Sequence, residues 1–89
     1  MKSFTFVVGD KHGIHARPAG VIVNCARKFS SEITVENGEK TADAKKLLAV
    51  MGLAAKCGDT LEFNISGEDE ESAAKEMLDV CIEAAGEKN

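Results

Sequence analysis

The chain is 89 residues long, 44% hydrophobic and 29% charged, with 15 acidic against 11 basic side chains and a formal net charge of −4. This length holds one hydrophobic core, so a single domain over residues 1–89 is expected, and the composition is not that of a disordered chain. Acidity without Trp or Tyr argues against nucleic-acid binding, and the longest apolar-rich run, residues 47–55, falls short of the about 20 residues that a membrane span needs.

Phe4, Phe6 and Val8 face one way in a first strand, followed by a polar loop with two glycines, Gly9 to Gly13. Pro18, the only proline, suits a first helical turn, so a helix is expected from Ala16 to about Arg27 or Lys28. Ala19, Ile22, Val23, Ala26 and Phe29 form its buried stripe. Arg17, Gly20, Val21, Asn24, Arg27 and Lys28 form the other, which reads either as a solvated face or, given Val21 beside Gly20, as a docking face.

Residues 32–36 alternate, with Ile33 and Val35 inward, and Asn37-Gly38 signals a type I′ hairpin turn into a short polar edge strand at about 39–43. A second helix is expected over residues 45–56. Its apolar surplus exceeds one buried face, so some of Leu47, Leu48 and Met51 should stay exposed. Residues 60–66 alternate strictly, with Leu61, Phe63 and Ile65 inward. The acidic run Glu68 to Glu71 then opens a last helix, where unpaired N–H groups and the helix dipole favour anions. Ala74, Met77, Leu78, Cys81 and Ala85 are its expected buried face, and Gly86 its end. The order βαββαβα implies an α+β fold: an open-faced, two-layer β-sandwich with a four-stranded antiparallel sheet and three helices on one face.

Cys25, Cys57 and Cys81 form no C-x-x-C pair and match no zinc spacing. Cys25 and Cys81 are expected to be small packing residues in a reducing, cytoplasmic setting, while Cys57 is a possible reactive thiol. The first residues lack the apolar core and cleavage site of a signal peptide. No cofactor or metal is called for.

The two histidines, His12 and His15, flank the start of the first helix. Unpaired backbone N–H groups and the dipole make that place an anion site, Arg17 adds a cation, and a neutral imidazole is a nucleophile near pH 7. Three readings stand at this point: phosphoryl chemistry on the His15 ring, a plain surface histidine, or a weak metal site.

The run Gly13-Ile14-His15-Ala16-Arg17-Pro18-Ala19 resembles the active-site motif of the HPr family, the histidine-containing phosphocarriers of the bacterial sugar phosphotransferase system. The likeness extends over the chain, through Ser-Glu-Ile-Thr-Val at residues 31–35, Ala44-Lys45 and Gly67-Glu68-Asp69-Glu70. It implies a carrier and not an enzyme. His15 would accept phosphate on Nδ1 from enzyme I and hand it to IIA proteins or domains. Arg17 and the N–H groups of Ala16 and Arg17 would stabilise that phosphate. Docking would use Gly20, Val21, Asn24, Arg27, Leu47, Leu48, Met51 and Gly52. A monomer fits such a role, as does an alternative in which the phosphorylation state controls a transcription factor or enzyme. Many family members have a regulatory serine where this chain has Lys46, so that switch is expected to be absent. Lys46 is either a partner contact or unselected. His12 either tunes His15 or merely occupies its loop.

Overall fold

The computed structural model describes residues 1–86; residues 87–89 of the expected domain lie outside it. The strands are β1 (Lys2–Val7), β2 (Glu32–Asn37), β3 (Lys40–Asp43) and β4 (Thr60–Ser66), and the helices α1 (Ala16–Ala26), α2 (Leu47–Met51) and α3 (Glu70–Ala85). The order along the chain is βαββαβα, and the sheet order is β1-β4-β2-β3 with every pair antiparallel. Helices α1 and α3 pack together over the sheet, and α2 rests against α1 and β3. This is the expected open-faced sandwich.

Period-two patterning decides which side of the sheet is dry. Leu61, Phe63 and Ile65 of β4 point inward beside Ile33 and Val35 of β2, all nearly inaccessible to solvent. Phe4 lies opposite Phe63 in the register, and their rings stack with centroids 4.9 Å apart. Ile22 and Val23 from α1 and Met77 from α3 close the core. Cys25 and Cys81 are buried within it, and burial pushes the Cys81 thiol up to about 12; Cys57 is exposed.

Three local expectations need correction. First, α2 is one turn, Leu47–Met51, and not residues 45–56. Asn37 Nδ2 donates to the Leu53 carbonyl at 3.0 Å, and the Ile14 N–H donates to the Ala55 carbonyl at 2.9 Å. Leu53 and Ala55 are buried, and the chain reverses between them through Ala54 at φ 50°. Tertiary partners thus take the groups a longer helix would have used. Second, the hairpin pairs Asn37 with Lys40, so its central residues are Gly38 and Glu39. Gly38 takes φ 62° and Glu39 has no positive φ, which fits a turn with Gly at the first central position and not an Asn-Gly type I′ turn. Third, α3 buries Ala73, whereas Ala74 and Leu78 are only half-buried.

Candidate functional site

His15 is the N-cap of α1, in an extended conformation (φ −89°, ψ −171°). Its carbonyl accepts the Ala19 N–H at 3.0 Å, which closes the first helical bond. Ahead of Ala19, Ala16 and Arg17 carry N–H groups with no acceptor one turn back, and Pro18 carries none. Two donors therefore emerge at the helix start beside the imidazole. The His15 ring makes no capping bond, and 44% of its side-chain surface is open to solvent. Arg17 is exposed, with no carboxylate at ion-pair distance among the described residues.

Three parts of the chain pin the loop that delivers His15. Gly9 and Asp10 both donate backbone N–H groups to the Ala85 carbonyl, at 2.8 and 3.0 Å, tying the loop to the end of α3. The Ile14 N–H to Ala55 bond ties it to the segment after α2. Within the loop, the Gly13 N–H donates to the Asp10 carbonyl at 2.9 Å, and Asp10 Oδ1 accepts the His12 N–H at 2.8 Å. Asp10 Oδ2 lies 3.9 Å from His15 Nε2. The His12 ring stands edge-on to His15 with centroids 6.0 Å apart.

These groups open on a hollow of about 420 Å³ that also reaches Val21, Glu83 and Ala84. The sequence motif indicated His15 and Arg17 but not Asp10 or the end of α3. An Asp two residues before a loop residue is a turn signal that would have marked Asp10, because its side chain bonds the backbone two positions on. Glu83 has no local signal; helix packing brings it there.

The expected docking residues lie on α1 and α2, which are in contact, with Arg27 and Gly52 at their C-caps. Arg27 Nε donates to the Lys45 carbonyl at 2.9 Å, and Lys45 Nζ donates to the Phe29 carbonyl at 2.7 Å, joining the end of α1 to the entry of α2. Leu48 is 82% exposed and Val21 46%; Leu47, Asn24, Arg27 and Gly52 are exposed too, while Met51 and Gly20 are half-buried. Lys28 turns away to α3, where it pairs with Glu76. That hydrogen bond raises the Lys28 ammonium and lowers the Glu76 carboxyl from their ordinary values. Burial first, then Glu76, raises the Cys25 thiol. Among the described residues no three His, Cys, Asp or Glu side chains are placed to hold a metal ion, and no helix is long and apolar enough to cross a membrane.

A small α+β sandwich with an exposed histidine at the N-cap position of its first helix falls in the class of histidine phosphocarriers. Residues 2–83 match the family model described as the PTS HPr component phosphorylation site. The phosphocarrier protein HPr of Lysinibacillus sphaericus is 43% identical over 83 residues, which cover 93% of this chain and 94% of that protein. A solved mycoplasma histidine-containing phosphocarrier protein superposes with a TM-score of 0.93 at 34% identity, over 99% of this chain and all of the other. The multiphosphoryl transfer protein of Salmonella typhimurium is 42% identical over 88 residues, but this chain, 96% covered, spans only 23% of that protein's length. The chain belongs to the HPr family of phosphocarriers of the bacterial phosphotransferase system.

Proposed function

We propose that this chain accepts a phosphoryl group on Nδ1 of His15 from phosphorylated enzyme I and passes it to IIA proteins or domains in the cytoplasm. The observation that carries this reading is the placement of His15: an exposed imidazole at a helix N-cap, beside two first-turn N–H groups and an exposed guanidinium with no carboxylate at ion-pair distance among the described residues. Charge on a transferring phosphoryl group is stabilised by such preset donors. The Ala16 and Arg17 N–H groups and the Arg17 side chain take that role. Because these groups are exposed, they hold the phosphate in high dielectric, firmly enough to be loaded and loosely enough to be released.

Docking falls to the adjoining faces of α1 and α2. Leu48, Leu47, Val21 and Met51 offer apolar contact, with Gly20 and Gly52 admitting close approach and Asn24 and Arg27 at the margin. Contacts of this kind to acidic partners are brief and salt-sensitive. Lys46 is the N-cap of α2 and carries no hydroxyl, so it cannot form the phosphoester that a serine at that position would. The test is incubation with enzyme I and phosphoenolpyruvate. An acid-labile phosphoryl group should appear and should vanish in His15→Ala. Labelling that survives this substitution overturns the assignment.

A further inference from the structure

The His15 ring has a charged neighbour for which the phosphoryl-acceptor reading supplies no role. We infer that Asp10 is a positioning residue for His15: its carboxylate holds the ring proton on Nε2, and so leaves the Nδ1 lone pair as the nucleophile at the helix start. This inference rests on the reading of His15 as the phosphoryl acceptor.

Asp10 is fixed from several sides. Its N–H donates to Ala85, its carbonyl accepts from Gly13, and its Oδ1 accepts from the His12 backbone. Oδ2 is thereby carried to 3.9 Å from Nε2. That separation is an ion-pair distance and not a hydrogen bond. Only 25% of the Asp10 side chain is exposed, so solvent does not fully screen the pair. Arg17 and Glu83 line the same hollow.

The chemistry gives the pair a direction. In the neutral ring one nitrogen carries the proton and the other the lone pair. A carboxylate beside Nε2 favours the tautomer protonated there. The Nδ1 lone pair then forms the bond to phosphorus, while the donor's bond to phosphorus breaks and its electron pair leaves with the donor. The ring keeps its Nε2 proton and becomes cationic, with that proton directed at Asp10. When the phosphoryl group moves on, the Nδ1–phosphorus bond breaks, the pair returns to Nδ1 and the ring is neutral again. Asp10 thus contributes most while the carrier is loaded.

Asp10→Asn separates this role from loop anchoring, because the amide oxygen can still accept the His12 N–H while the charge is lost. Ring ¹⁵N NMR of the unphosphorylated chain reads the tautomer directly. The wild type should carry its proton mainly on Nε2, and Asp10→Asn should shift the population toward Nδ1–H. After loading with enzyme I and phosphoenolpyruvate, the phosphohistidine of the variant should hydrolyse about two- to fivefold faster, the range expected of a partly exposed charge pair. Asp10→Glu should recover part of the difference. Unchanged ring shifts together with an unchanged half-life in Asp10→Asn would overturn the role, as would phosphorus found on Nε2 of the wild type. A wild type that takes no phosphate at all refutes the acceptor reading instead. The tautomer comparison still decides whether Asp10 orients the ring.

Discussion

Gly13→Ala tests how the fold aims His15. Gly13 sits at φ 71°, and a Cβ there would press into the Ala55 carbonyl oxygen and lie 3.1 Å from Lys56 Cα. The obstructing oxygen is also the acceptor of the Ile14 N–H, so relieving the clash means loosening that bond. The left-handed backbone costs an alanine about 1–2 kcal/mol. The weakened hydrogen bond adds about 0.5–1.5 kcal/mol. Stiffening of the unfolded chain offsets about 0.4–1 kcal/mol. The net loss is about 0.5–3 kcal/mol. Gly38→Ala is the matched control: φ is 62°, but no atom lies within 4 Å of the added Cβ. It carries the backbone cost without the clash. Urea unfolding of both variants, with unchanged m-values, should place Gly13→Ala below Gly38→Ala by about 0.5–1.5 kcal/mol. The rate at which His15 is loaded should also fall, since a displacement of about 1 Å at a reacting centre can cost about a hundredfold. If Gly13→Ala is as stable as Gly38→Ala, the close approach of the loop to Ala55 is not what fixes it.

Leu48 is almost fully exposed, so Leu48→Asp should change folding stability by less than about 0.5 kcal/mol. As a docking contact it should nonetheless raise the KM for transfer from enzyme I by about five- to thirtyfold; an unchanged KM removes it from the docking face. Asp69 is held down to about 2, chiefly by the Ser31 hydroxyl and then by the Ser30 N–H. A depressed carboxylate stabilises the fold above its unfolded value, near 3.8, and the benefit is lost as pH falls from there through about 2. Unfolding midpoints of wild type and Asp69→Asn should therefore converge between pH 5 and about pH 2, and a constant gap would show that the charge is irrelevant. Met77→Ala, at a position with no solvent access, should lose about 2–5 kcal/mol by thermal or urea unfolding.

Strands β1, β2 and β4 and helix α1 were legible because a one-sided sheet and a half-buried helix write their periods into the chain: Leu61, Phe63 and Ile65 alternate, and Ala19, Ile22, Val23 and Ala26 recur at helical spacing. Residues 45–56 were read too long because their pattern is helical throughout, and what cuts α2 at Met51 is contact with Asn37 and Ile14, distant in sequence. His15 and Arg17 were legible because the motif is contiguous. Asp10 carries a turn signal, but neither its approach to the ring nor the presence of Glu83 in the hollow was legible, since both depend on Ala85 receiving two N–H groups from the loop.

That tie between the loop and the end of α3 also bears on how an acidic chain can serve a dianion. Helix α3 presents its last turn to the hollow, so its first turn, with Glu70 and Glu71, lies a helix length away. Sixteen residues at about 1.5 Å each give about 24 Å, some three times the screening length of about 8 Å at physiological salt. The acidic run therefore exerts little force at the His15 ring. The cations are sorted as well: Lys28 pairs with Glu76, Arg27 and Lys45 donate to backbone carbonyls where α1 meets α2, and among the described residues Arg17 is the cation that lines the His15 hollow. The net charge of −4 is thus unevenly distributed: the acidic run at the start of α3 is remote from the hollow, where Asp10 and Glu83 are met by Arg17. At the ring itself the Asp10 carboxylate lies 3.9 Å from Nε2, so positive charge is favoured on that side of the imidazole, and the Arg17 side chain lines the same hollow.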